Sequence, residues 1–161
     1  MLLFGKTYSY WKELYRGFIF GLIIALIVFF LNPQFSKWKD FIKEFPTIGT
    51  CAFGFLLTFL SIILQGGSET IIWMKKRKVL FERFISFNKR IVIISIFLSI
   101  YAYVLGFFNF EFLMDLFELK AQSIILIQKV LISVFSWLGV WFVIDTLHFI
   151  HIFYLLLKKE K

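Results

Sequence analysis

The chain reads as an all-α, polytopic membrane protein with four transmembrane helices and cytoplasmic helix extensions. Three observations predict this. Hydrophobic residues fill 60% of its 161 positions and the mean hydropathy is +0.85, outside the range of ordinary soluble domains. Four apolar runs, at 17–31, 48–64, 91–108 and 130–149, approach the roughly 20 residues that a bilayer crossing requires. The basic residues are unevenly placed: Lys6, Lys12 and Arg16 precede the first run; Lys75, Lys76, Arg77, Lys78, Arg83, Lys89 and Arg90 follow the second; Lys158, Lys159 and Lys161 close the chain. The positive-inside rule then puts both termini in the cytoplasm.

Helix one is expected over 10–31, with Tyr10, Trp11 and Tyr15 in the headgroup region, where aromatic side chains are favoured. Residues 29–33 lack the small side chains of a signal-peptide cleavage site, so this segment reads as an uncleaved anchor. Gly17, Gly21 and Ala25 form a small-xxx-small ladder that lets another helix approach closely, from the same chain or from another subunit. Asn32-Pro33 ends the helix, because proline disfavours helical geometry in the residue before it.

The loop over 33–45 reads as an amphipathic outer helix, with Phe35, Trp38, Phe41, Ile42 and Phe45 at helical spacing among charged residues. Pro46 then opens helix two, expected over 47–66. Along that helix Thr50, Gly54, Thr58, Ser61 and Gln65 share one face with Thr47 and Cys51. In lipid such a face marks close helix packing, an oligomer contact or a water path. Gln65-Gly66-Gly67 reads as a bend where the helix leaves the membrane.

The basic run Lys75, Lys76, Arg77 and Lys78 is a candidate docking surface for anionic lipid or for an acidic cytoplasmic protein. No nucleic-acid recognition motif accompanies it, so direct nucleic-acid binding is not expected. Helix three, expected over 90–108, repeats the small-residue ladder at Ser95, Ser99, Ala102 and Gly106. The second outer loop, 109–122, carries Glu111, Asp115 and Glu118 on one helical face. Helix four, expected over 124–157, would be about 50 Å long against a hydrocarbon core of about 30 Å. Its last turns are therefore expected to project into the cytoplasm.

Chemistry is sparse. Asp145, His148 and His151 are intramembrane polar residues on helix four and could in principle hold a metal or pass protons. With two histidines in the whole chain, hydrogen bonding from Asp145 to a neighbouring Ser or Thr is the favoured reading. Cys51 is the one cysteine, which excludes an intrachain disulfide or a cysteine zinc site. No phosphate loop, nucleophile elbow or HExxH occurs. The expectation is a non-enzyme with no cofactor.

The whole layout, and the segment GFLLTFLSIILQG (54–66) most of all, resembles the KwaA-like membrane subunits of the Kiwa anti-phage system. That resemblance implies an inner-membrane homo-oligomer, a tetramer, carrying a cytoplasmic DNA-binding partner protein and responding to phage at the envelope. The acidic outer face would then be the sensor surface and the inner basic segments the docking surfaces. The expected function is thus an oligomeric scaffold or sensor in anti-phage defence. An oligomeric pore lined by the helix-two face, or a holin-like lysis protein, is the alternative.

Overall fold

The computed structural model describes residues 2–3, 6–65, 69–110, 112 and 120–158. Among these, a minimal antiparallel ladder pairs Leu2–Leu3 with Lys6–Thr7. The helices α1 (Tyr8–Phe30), α2 (Phe35–Gln65), α3 (Glu69–Lys76), α4 (Lys78–Phe107) and α5 (Ala121–Lys158) follow. The chain is an all-helical membrane protein. Phe35–Ile63, Phe84–Phe107 and Ala121–Tyr154 are each long and apolar enough to cross a bilayer; the described apolar part of α1, Tyr15–Phe30, is shorter.

α1 stops where the sequence says it should. Leu31 N donates to Ile27 O at 3.0 Å, and Asn32 turns to φ 55°, a left-handed geometry that asparagine tolerates. Pro33 then cannot continue the helix.

The expected amphipathic loop over 33–45 and the expected helix over 47–66 are instead one helix, with Pro46 inside it. Proline removes the N–H that would bond the Ile42 carbonyl and normally kinks or breaks a helix. Packing carries α2 through this point. Ile42, Phe45, Gly49, Leu56 and Ile63 form one buried line at helical spacing that runs across the proline. Phe45 meets Phe135 of α5 edge-on at 5.2 Å, and Phe35 meets Phe110 at 4.8 Å.

The helix expected over 90–108 also begins earlier than expected. α4 starts at Lys78, after a break at Arg77 (φ −98°, ψ 74°). Its buried line continues the whole way, through Phe84, Asn88, Ile91, Ser95, Leu98, Ala102 and Leu105. Alternating steps of three and four keep these seven on one face, so the basic residues between them do not interrupt the helix.

The helices associate as two antiparallel pairs, α1 with α5 and α2 with α4, joined where α4 lies antiparallel to α5. Tyr101 fixes that junction by donating to the Leu131 carbonyl at 2.9 Å. α2 runs parallel to α5, with Phe45 beside Phe135 and Phe59 beside Phe149. Large apolar side chains such as Phe97, Phe107 and Ile100 face outward, as helices bathed in lipid allow.

Candidate functional site: an interhelical ion pair

Three helices meet at Asp145. Its side chain is 2% exposed, and one oxygen, Oδ2, serves two partners: it forms an ion pair with Arg90 Nη2 of α4 at 2.9 Å and accepts a hydrogen bond from Trp141 Nε1 of α5 at 2.9 Å. The other oxygen, Oδ1, faces α1. A Cβ at Gly17 would lie 2.6 Å from Oδ1 and 2.7 Å from Trp141 Cδ1, so a residue without a side chain is what brings α1 to the carboxylate. Intramembrane charges are costly unless paired, and a carboxylate shared between a guanidinium and an indole N–H meets that requirement.

Aromatic rings frame the pair. Phe18 of α1 meets Trp137 and Trp141 edge-on at 5.0 and 5.1 Å, and Trp137 Nε1 donates to the Phe18 carbonyl at 3.2 Å. Gly21 repeats the close approach one turn on, where a Cβ would lie 2.6 Å from the Trp137 carbonyl oxygen. Below, the Arg90 guanidinium lies 4.4 Å from the centre of the Phe87 ring, a cation–π contact that desolvation strengthens. Phe87 in turn meets His148 at 5.6 Å.

Asp145 is therefore bonded to Arg90 and Trp141, not to a Ser or Thr as expected. Among the described residues no group of three His, Cys, Asp or Glu side chains converges to hold a metal ion. His148 is half-buried against Phe87, and His151 is exposed. Arg90 was missed because it closes a basic run and reads as part of the inner surface. The signal available was pairing: one carboxylate inside an apolar helix calls for one cation at its level.

The structure divides the small-residue ladders. Gly17 and Gly21 are buried and Ala25 is half-buried against α5; Ser95 is buried and Ser99 half-buried against α2, where a side chain at Gly49 would overlap Ser99. Thr50, Gly54, Thr58, Ser61 and Gln65 are all exposed, and nothing lies within 4 Å of a Cβ built at Gly54. Thr50 and Thr58 turn their hydroxyls onto their own helix, donating to Pro46 O at 2.6 Å and Gly54 O at 2.9 Å. Lys75, Lys76 and Arg77 are exposed; the Lys78 side chain and the acidic residues Glu111, Asp115 and Glu118 lie outside what the structure describes. One buried group has no counterpart in the sequence reading: Asn88 is fully buried, and among the described residues neither amide atom has a hydrogen-bond partner.

No family model, curated relative or solved structure matches this chain.

Proposed function

We propose that the protein is a non-enzymatic membrane scaffold or sensor that works as a homo-oligomer, assembled through the open face of α2. One observation carries this reading. Of the small-residue faces, those on α1 and α4 are filled within the chain, whereas the α2 face is exposed along its full length. Small residues in lipid admit a second backbone closely, and association there depends on such packing. Because the Thr50 and Thr58 hydroxyls donate to their own backbone, they suit a helix–helix contact better than the lining of a water-filled pore.

Four crossings with both termini in the cytoplasm belong to the same proposal. α1 lies antiparallel against α5; its apolar part, Tyr15–Phe30, extends about 24 Å, and the helix crosses with its preceding turns in the headgroup region. Lys43 and Lys129 stand at one level of the bundle; Arg16, Arg90 and Asp145 stand at the other. From Lys129 to Asp145 α5 rises about 24 Å, so the ion pair sits toward one membrane edge and the last turns of α5 project beyond it. The positive-inside rule makes that edge cytoplasmic, in an inner membrane.

The defence setting and the cytoplasmic protein partner rest on the layout resemblance. Phage plaquing on cells with and without the gene tests the first. Gentle extraction followed by native mass spectrometry tests the assembly: an oligomer carrying a stoichiometric partner is expected, and a bare monomer would contradict the scaffold. Steady conductance in planar bilayers, abolished by Thr58→Leu, would favour the pore instead.

A further inference from the structure

We propose that the elbow between α3 and α4 is a docking surface for anionic phospholipid headgroups. This rests on the reading that α2 and α4 cross the membrane. The elbow falls between the end of one apolar span at Ile63 and the start of the next at Phe84, which puts it at the membrane boundary. α3 is eight residues long and ends in Lys75 and Lys76, with Arg77 forming the break to α4. All three are exposed.

The geometry suits an interface better than open water. Ile72, one turn before Lys76, is 45% exposed, so an apolar and a cationic side chain share one face of α3. That arrangement lets the isoleucine enter the acyl boundary while the lysine reaches phosphate. Trp73 packs on the hydrophobic core, and the Arg77 guanidinium lies 4.2 Å from the centre of its ring. The indole thereby holds the guanidinium in place, and an oriented guanidinium offers paired donors that match phosphate geometry. Between residues 69 and 90 the sequence has seven basic and two acidic residues. One of the basic ones, Arg90, is paired with Asp145. The remainder leaves a surplus of positive charge at the level where anionic headgroups lie.

The test uses the full chain in nanodiscs of equal phosphatidylglycerol and phosphatidylcholine, with retained lipid counted by native mass spectrometry. Each basic residue at an anionic surface favours it by about fivefold. The variant Lys75→Gln/Lys76→Gln/Arg77→Gln is therefore expected to lower the ratio of bound phosphatidylglycerol to phosphatidylcholine by tenfold or more. The variant Lys37→Gln/Lys43→Gln/Lys120→Gln removes three exposed charges from the opposite end, where the exposed Asp40 and Glu44 already offset the neighbouring lysines, so it should stay within about twofold of the unmodified chain. Lys75→Arg/Lys76→Arg should keep the preference, which separates charge from folding. An equal fall in both glutamine variants, or no preference in the unmodified chain, would overturn the lipid site. So would an acidic protein bound at the elbow of a lipid-indifferent chain. Release of the chain from membranes by alkaline carbonate would instead overturn the crossing reading, a result independent of the lipid ratio.

Discussion

Replacing Arg90 by Met should destabilise the protein more than replacing its partner Asp145 by Asn. In Arg90→Met the carboxylate stays at 2% exposure, with the Trp141 N–H still donating to it. Removing one partner of a buried pair costs about 3–5 kcal/mol, because the other charge is left uncompensated. In Asp145→Asn the amide oxygen can still accept from Trp141. The Arg90 side chain, 19% exposed and close to one membrane edge, can extend toward headgroups. That cost should be about 1–2 kcal/mol. The double variant removes both charges and should return to within about 1 kcal/mol of the starting protein. Reversible unfolding in mixed micelles, followed by the fluorescence of Trp137 and Trp141 beside the pair, measures all three. Interhelical hydrogen bonds in bilayers average about 0.6 kcal/mol. Single-variant costs near that figure, or a double variant equal to the sum of the singles, would refute a buried, mutually dependent pair.

Three further substitutions probe the packing. Gly21→Val would place a side chain against the Trp137 carbonyl, a backbone atom that cannot move aside; it should loosen α1 from α5 and cost about 1–3 kcal/mol, read in the same unfolding assay. Asn88→Leu removes a fully buried amide without partners and should raise stability by about 1–3 kcal/mol; a loss of stability would mean that the amide is bonded. Tyr101→Phe deletes the hydroxyl that donates to Leu131 O and should cost about 0.6–1.7 kcal/mol. Double-mutant cycles with Arg90→Met should show the two α4–α5 links to be nearly additive, since they lie well apart along the helix.

How much of this was legible depends on the kind of signal. Composition and the apolar runs were enough for a helical membrane protein, because a bilayer demands length and hydrophobicity that few soluble helices have. The end of α1 at Asn32-Pro33 was legible for local steric reasons. The bounds of α2 and α4 were not. Pro46 and the basic run before Ile91 read as interruptions, yet the buried lines Ile42–Phe45–Gly49 and Phe84–Asn88–Ile91 hold the helix through both, and tertiary packing outweighs local propensity. Spacing on α1 and α2 produced similar small-residue faces, and sequence cannot say which is filled. That depends on Trp137 and Trp141, more than a hundred positions away from Gly17 and Gly21. The partner of Asp145 was hidden for the same reason, since Arg90 comes beside it only when α4 and α5 pair.

The most direct test of an α2-mediated assembly uses the chain's one cysteine. Cys51 is exposed on α2 next to Thr50 and one turn from Gly54, inside the face assigned to subunit contact. Native membranes treated with bismaleimides of graded length should give a cross-linked dimer at short span. The dimer should disappear in Cys51→Ala and weaken in Gly54→Leu, where bulk would separate the helices. Ready single-site labelling of Cys51 with no cross-linked species at any span would contradict the account, and would leave the α2 face to lipid.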